Sequence, residues 1–258
     1  MRKTALASFA MLLVFGGSTF AQEQPKPTSV KGTTVDGVAA TATASSAIAI
    51  TAETSPKDLA KAAFLAQGGE KFRSVQNLIL HGSVQLYPPN SVQSIPGSFS
   101  LVTAGEKLRM EIDARPAITF KQIYDGEQSY SSVPNIVLPP LTKFGLGALA
   151  RFDQPGYQVS AIADKKKQRG FRIVDPDGYT TDYYLDAKTG RVMSFFLYYN
   201  GLTLGTEHSK FKEVDGVLVP VSFSQKFEMP VGAFFAEFTV KDVKLNQQLA
   251  DDAFAIPR

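Results

Sequence analysis

The sequence predicts a mainly β protein with a few helices (α+β), in which a strongly curved antiparallel sheet forms a half-open barrel. An N-terminal helix and a short lid-like helix are expected to close this half-barrel. Apolar and polar residues alternate with a period of two from Asn77 onward, as in strands that bury one face. Turn dipeptides such as Asp125-Gly126 and Asn200-Gly201 separate these runs, which favours antiparallel hairpins. About ten strands fit this spacing, and a sheet of that size curves.

The N-terminal residues 1–21 have the pattern of a secretory signal peptide. Arg2 and Lys3 precede a short apolar run, and the small residues Thr19 and Ala21 predict cleavage after Ala21. Neither this run nor any later segment is long enough to span a bilayer, so no transmembrane segment is expected. The chain contains no cysteine, which excludes disulfides and a lipid-modified cysteine at the cleavage site. Export without disulfides favours a periplasmic location.

The next part of the chain, residues 22–55, is rich in alanine, threonine, serine and proline and follows neither a helical nor a strand period. This composition predicts a disordered leader or tether. Residues 56–258 are then long enough for a single β-rich domain with its own core. The precursor has a formal net charge of +3, which is too small to indicate a nucleic-acid partner.

Two helical segments are expected in this domain. The first begins at Ser55-Pro56, because serine caps helices and proline is favoured at their first position. The second interrupts the strand pattern at residues 139–156. Two interpretations of it stay open, a lid over the half-barrel or an ordinary core helix that caps the barrel end. Its apolar side is formed by Leu141, Phe144, Leu149 and Phe152.

One predicted strand, residues 192–199, is apolar on both faces. Since successive side chains of a strand point to opposite faces, the residues fall into two groups: Met193, Phe195, Leu197 and Tyr199 on one face, and Val192, Phe196 and Tyr198 on the other. Both faces must be covered. Two short helices are little cover for so large a sheet, which predicts a cavity for an apolar ligand. The alternative is that side chains fill the interior.

The last strand changes its phase near its end. Apolar residues occupy every second position of residues 234–240, whereas Asp242 takes that phase and Val243 the opposite one. A bulge near Lys241 would restore the inward phase, and bulges are places where sheets bend.

The inward-facing apolar residues define a predicted ligand site. The expected lining residues are Met110, Phe120, Met193, Phe195, Leu197, Tyr199, Phe223 and Phe238, and the expected lid residues are Phe144 and Leu149. Tyrosines have a polar tip that suits a cavity rim, and the candidates for this position are Tyr124, Tyr130, Tyr183, Tyr184 and Tyr199. A shift of strand phase by one residue would move the lining residues out of the cavity.

The sequence offers no catalytic, metal or cofactor motif. Its two histidines, His81 and His208, are far apart and lack metal-ligand spacing, and both are expected to be solvated strand residues. No Gly-x-Ser-x-Gly element and no phosphate-binding glycine loop is present. The basic run at residues 165–169 is expected to form a solvated hairpin tip. We therefore expect no enzyme activity and no cofactor.

Several segments together resemble the LolA/LolB-like superfamily of periplasmic outer-membrane lipoprotein-sorting proteins. They are the secretory signal, the alanine-rich helix with Gly68-Gly69, the long antiparallel meander and the segments YYLDAKTGRV, FKEVDGVLVPVSF and VKDVKLNQQLADDAFAIP. The resemblance implies a half-open barrel whose concave apolar face accepts acyl chains. It also implies a basic residue near the cavity, for which Arg73 and Arg109 are the candidates.

The function expected from these observations is binding or carrying of a lipidic or acylated ligand, such as an acylated lipoprotein, in the periplasm. One alternative is a non-catalytic protein-interaction module of the cell envelope with a filled core and a protein partner. Another is a hydrolase with dispersed acidic residues. The resemblance favours the first of the three, because a concave face that accepts acyl chains would explain the doubly apolar strand at residues 192–199.

Overall fold

The computed structural model of the chain describes residues 49–89, 91–133, 139–229 and 232–257. The predicted signal peptide and most of the predicted leader lie outside these residues. The described part is mainly β, with twelve strands where the sequence predicted about ten. They are β1 (Asn77–Tyr87), β2 (Ile95–Ala104), β3 (Lys107–Ala114), β4 (Ile118–Tyr124), β5 (Ser129–Ser131), β6 (Gln158–Ala161), β7 (Gln168–Val174), β8 (Thr180–Asp186), β9 (Val192–Tyr199), β10 (Leu202–Val214), β11 (Val217–Met229) and β12 (Gly232–Leu245).

All twelve strands belong to one antiparallel sheet with the order β5-β4-β3-β2-β1-β12-β11-β10-β9-β8-β7-β6. Almost every neighbour in the sheet is also a neighbour in the chain, as the hairpin dipeptides predicted. The exception is the central pair β1 and β12, which joins the two ends of the folded chain. Among the described strands β5 and β6 remain the two edges, so the sheet is curved and half open rather than a closed barrel.

In the part of the chain that the structure describes, three α-helices accompany the sheet: α1 (Pro56–Ala66), α2 (Glu70–Arg73) and α3 (Gly145–Leu149). Helix α1 begins where the sequence predicted, because Ser55 Oγ accepts a hydrogen bond from the Asp58 amide at 3.2 Å. Its apolar face packs on β6, β7 and α3. Within the described ranges, no helix is long and apolar enough to cross a bilayer.

The predicted helix at residues 139–156 is shorter than expected. A 3₁₀ turn at Leu141–Lys143 precedes α3, and the chain bends between them. Gly145 has a φ of +52°, a left-handed conformation that glycine adopts without steric cost. A Cβ at Gly147 would overlap the Thr142 carbonyl oxygen, so the bend needs both glycines.

Two bulges set which residues face inward. In β12, Lys241 has no partner on β1, since His81 pairs with Asp242 and Gly82 pairs with Val240. This confirms the predicted bulge. In β9, Met193 has no partner on β8, since Leu185 pairs with Val192 and Tyr184 pairs with Ser194. This second bulge was not predicted. It places Val192 on the inner face together with Phe195 and Leu197, and corrects the expected phase at Met193.

The inner face carries two large clusters of buried apolar residues. The first lies on β1–β4, β11 and β12, and the second lies between α1, α3 and strands β7–β9. Ile50, near the end of the predicted leader, packs on the second cluster, and the Ala52 carbonyl accepts a hydrogen bond from Arg169. The space between the two clusters contains the candidate site.

Candidate functional site

A cavity of about 530 Å³ lies on the concave face of the sheet, between the two clusters. Most of its lining residues are apolar. They come from α2, strands β1–β3 and β9–β12, and the bent segment at residues 141–151. Ligand cavities in proteins have volumes of about 300–1,000 Å³, so this space is large enough for a small molecule or a lipid chain.

Strand register builds the apolar wall of the cavity. Leu80 pairs with Leu101 on β2, and Leu101 pairs in turn with Met110 on β3, so one row of side chains crosses three strands. On the other side of the cavity Leu197 pairs with Leu204. All five residues line the cavity, because inward positions of paired antiparallel strands share one face.

The bent segment before and within α3 covers the cavity. Leu141, Phe144 and Leu146 from this segment line it. The segment is attached to the sheet by Tyr183, whose hydroxyl donates a hydrogen bond of 2.6 Å to the Gly145 carbonyl. Burial raises the pKa of the Tyr183 phenol, so this donor keeps its proton at neutral pH.

One end of the cavity is polar and carries two arginines. Arg73 lies beside Asp153 at 2.7 Å and donates a hydrogen bond to the Ala150 carbonyl. Arg151 lies 3.0 Å from Glu106. Both arginines and Glu106 line the cavity. This end therefore has guanidinium donors held in place by carboxylates, next to an apolar interior.

A second polar group of residues lies within the wall, on β10 and β11. Thr206 pairs with Gln225 and His208 pairs with Phe223, and all four line the cavity. His208 is buried, which corrects the expectation that it is solvated. Its Nδ1 lies 2.9 Å from the Val192 carbonyl oxygen. Burial lowers the pKa of His208 to about 4, so the ring is neutral at pH 7.

Five of the ten predicted site residues line the cavity. They are Met110, Phe144, Phe195, Leu197 and Phe223. Four of them are strand residues for which the period-two reading gave the correct face. Phe144 comes from the segment predicted as a lid, directly before α3.

The other five predicted residues do not line the cavity. Phe238 is buried behind the wall, stacked on Phe223 at a centroid distance of 4.8 Å. Phe120 packs against the first cluster on β4, and Met193 is the bulged residue of β9. Tyr199 packs edge-on against Phe144. The predicted lid residue Leu149 is wholly buried in the second cluster, because α1 covers this side of α3.

The expected ring of rim tyrosines does not surround this cavity, since none of the five candidates lines it. Tyr183 is wholly buried, and Tyr124 is buried with its hydroxyl donating to the Gly126 carbonyl. Of the two candidate basic residues, Arg73 is at the cavity. Arg109 lies elsewhere and pairs with Glu111 at 2.8 Å.

Sequence reasoning missed several lining residues, including Phe99, Leu101, Thr206 and Arg151. In β2 the period of two carried a signal, because Phe99 and Leu101 alternate with Ser98 and Ser100. Thr206 is itself polar, so the pattern of β10 gave no such signal for it. Arg151 had no such signal, since only the fold of the bent segment brings it to Glu106. In the part of the chain that the structure describes, no group of three or more histidine or acidic residues is placed to hold a metal ion.

No protein-family model matches this chain, and no curated protein matches it. Solved structures do. A LolA superfamily protein from Nitrosomonas europaea superposes with a TM-score of 0.52 at 12% identity, covering 79% of this chain and 98% of that one. At this level of identity the match shows the fold, and the chain has the fold of the LolA superfamily.

Two further solved structures resemble this one. An outer membrane lipoprotein-sorting protein domain from Vibrio parahaemolyticus has a TM-score of 0.47 at 13% identity and covers 76% of this chain and 97% of that one. A DUF1329 family protein from Desulfovibrio piger has a TM-score of 0.49 at 12% identity and covers 78% and 98%.

Proposed function

We propose that this LolA-like protein is a non-enzymatic periplasmic binding protein that holds an acyl chain of a lipid or of an acylated protein in the cavity. The observation that carries the proposal is the cavity of about 530 Å³ with a mostly apolar lining. A filled core, as the interaction-module alternative requires, would leave no such volume. The periplasmic location rests on the secretory pattern of residues 1–21.

The driving force would be removal of apolar chain from water. Each buried methylene contributes about 0.8 kcal/mol, so about ten methylenes contribute about 8 kcal/mol before the costs of association. The leucine rows on β1–β3 and β9–β10 offer the apolar contacts that this transfer needs.

The polar end of the cavity suits an amphiphile. A ligand whose chain lies against Leu101 and Leu204 would place its polar end toward Arg73 or Arg151. Both guanidinium groups are held by neighbouring carboxylates, so they would bind a headgroup as hydrogen-bond donors rather than as free charges.

The proposal is tested by native mass spectrometry of the mature protein purified from the periplasm, followed by solvent extraction and lipid analysis. We expect acyl species in a one-to-one complex. A measured mass equal to that of a chain starting at Gln22 would also confirm the predicted cleavage site. A ligand-free mass, together with no uptake of a fluorescent fatty acid, would refute the proposal and favour the protein-interaction alternative.

A pair of neighbouring variants separates cavity binding from surface binding. Leu101 lines the cavity, whereas Val102, the next residue of β2, belongs to the opposite face and does not line it. Leu101→Trp places an indole in the cavity and should weaken fatty-acid uptake by about tenfold or more, equivalent to about 1.4 kcal/mol. Val102→Trp should leave uptake unchanged. Equal loss in both variants would contradict binding in the cavity, and circular dichroism verifies that each variant is folded.

A further inference from the structure

The cavity ends inside the half-barrel, because side chains fill the concave face beyond it. On strands β1–β3 the lining residues nearest to this closed end are Leu80, Phe99 and Met110. Further along the same face, Val84 and Ile112 are 1% and 8% exposed and belong to the first core cluster. The inner face of these strands is therefore cavity wall at one end and filled core at the other.

Three phenylalanines, Phe99, Phe223 and Phe238, form this boundary, and we call them the aromatic floor. The rings of Phe223 and Phe238 are stacked at a centroid distance of 4.8 Å, and Phe99 lies edge-on to them at 6.3 and 5.0 Å. Phe99 and Phe223 line the cavity. A Cβ at Gly82 would lie 2.8 Å from the Phe99 ring, so the glycine lets this ring lie close to β1.

The opposite end of the cavity is polar. Its lining residues include Gln76, Glu106, Arg151 and Gln154, which all lie outside the strands. A polar group is unfavourable against the aromatic floor, where it would lose its water without gaining a partner. A linear amphiphile therefore fits in one direction, with its polar group at the arginine end and the end of its chain at the floor.

The volume of the cavity limits how much chain it holds. If each methylene takes about the 30 Å³ that a water molecule takes in the liquid, a cavity of about 530 Å³ holds about 18 methylenes. Two chains of about 16 carbons would need almost twice this volume, and three chains almost three times. Methylenes that stay outside remain in water and add no hydrophobic stabilisation.

From the floor and the volume we propose that the ligand is a monoacyl amphiphile with one chain of about 16–18 carbons, whose end contacts Phe99 and Phe223. This inference rests on the proposed lipid-binding function and narrows it. Lipids and acylated proteins with two or three chains would leave one or more chains largely in water. A fatty acid and a lysophospholipid both meet the requirement, and they differ in the headgroup that reaches Arg73 or Arg151.

The first experiment measures affinity as a function of chain length. Unbranched fatty acids of about 10 to 24 carbons displace a fluorescent fatty acid from the wild-type mature protein. Affinity should rise about fourfold with each added methylene and should stop rising at about 18 carbons. A rise that continues at the same slope to the longest acid would overturn the inference.

The second experiment counts chains. Palmitic acid, a palmitoyl lysophospholipid and the dipalmitoyl phospholipid with the same headgroup are offered in the same detergent micelles, and native mass spectrometry identifies what is bound. We expect one monoacyl molecule per protein, and a diacyl lipid that binds no more tightly than its lysophospholipid. Preference for the lysophospholipid or for the acid distinguishes the two sources, and either preference supports a single chain. Tighter binding of the diacyl lipid would contradict it.

Substitutions at the floor and in the wall should move the length limit in opposite directions. Phe223→Ala removes a ring from the floor, and because the surroundings relax only partially, the limit should rise by about four carbons. The milder Phe223→Leu should raise it by about one or two. Leu101→Trp adds an indole to the wall and should lower the limit. Phe120→Ala, at a phenylalanine that does not line the cavity, should keep the wild-type limit.

The possible outcomes separate this inference from the proposed function. Circular dichroism verifies that each variant is folded, and an unchanged limit in folded Phe223→Ala and Phe223→Leu would overturn the role of the floor. Two fatty acids bound at once would overturn the single chain while lipid binding stands. Absence of displacement by every acid would instead refute the proposed function, and the inference would fall with it.

Discussion

The two halves of the sheet have the same alternating pattern and different surroundings. On β7 and β8, the inner residues Phe171, Ile173, Tyr183 and Leu185 are each 0% exposed, because α1 and α3 cover them. On β1 and β2, Leu80 and Phe99 are buried, but two other inner residues, Leu78 and Leu101, are only partly buried, and all four border the cavity. The comparison teaches that cover from other elements, rather than strand pattern, decides whether an apolar face becomes core or cavity wall.

The largest expected effect tests this difference directly. Phe171→Ala should lower the free energy of unfolding by about 3–5 kcal/mol, since it opens a void among closely packed neighbours. Leu101→Ala should lower it by less than about 2 kcal/mol, because one side of Leu101 already faces the cavity. Urea unfolding of both variants measures the two costs. Equal costs would mean that the two halves are packed alike.

The second prediction concerns how the burial of His208 in the cavity wall makes the free energy of unfolding depend on pH. Burial lowers the pKa of His208 from its ordinary value of 6.5 to about 4, so between these values the unfolded chain binds more protons than the folded one. Stability is therefore fully present above about pH 6.5 and decreases as the pH falls toward about 4. The total loss from this group is about 3 kcal/mol.

Urea unfolding at a series of pH values measures this loss, with the two histidines of the chain as a matched pair. His208→Gln should remove the decrease between about pH 6.5 and 4, whereas His81→Gln, at an exposed position of β1, should retain it. A wild-type profile that is flat in this range would show that water reaches the His208 ring.

A third, smaller effect is expected where the covering segment is attached to the sheet. Tyr183→Phe removes the buried hydrogen bond to the Gly145 carbonyl and should lower the free energy of unfolding by about 1–2 kcal/mol. Hydrogen exchange should become faster at residues 145–149, which this bond holds. Tyr184→Phe on the adjacent outer position is the control. Unchanged exchange in Tyr183→Phe would show that packing alone holds α3.

The smallest effect is expected at the polar end of the cavity. Asp153→Asn removes the charge beside Arg73, whose side chain is 27% exposed while that of Asp153 is 41% exposed. Pairs this accessible to water contribute about 0.2–1 kcal/mol, and thermal unfolding at low and high salt should show a loss within that range that disappears at high salt. A loss above about 2 kcal/mol would mean that this pair fastens the cavity end.

Much of the site followed from strand periodicity. Met110, Phe195, Leu197 and Phe223 were predicted as lining residues and line the cavity. Met110 and Phe223 alternate with charged or polar neighbours, whereas Phe195 and Leu197 lie in a strand that is apolar on both faces, so the period of two alone did not decide their direction. Met193 does not line the cavity, because it is the extra residue of a bulge in β9 that changes which side chains face inward. That bulge depends on how β8 pairs with β9, and pairing is not visible in one strand alone.

The wrong predictions of side-chain exposure have a common cause: segments distant in the sequence cover these residues. Tyr183 was expected at a rim and is wholly buried, because Gly145 and its segment fold onto it. His208 was expected in solvent, yet Phe195 and Phe211 enclose its ring. A polar residue inside an otherwise apolar strand face has the same local sequence whether water or another element covers it.

The sequence by itself determined the fold class, the hairpin order, the start of α1, the bulge at Lys241 and the inward phase of most strands. These features depend on local chemistry: side-chain period, turn dipeptides and a helix cap. Only the tertiary structure decided which inward residues are core, which border the cavity, and that the polar residues Thr206 and His208 are buried in its wall. The reason is that cover requires α1, α3 and distant strands to meet, and the free energy of those contacts depends on packing in three dimensions.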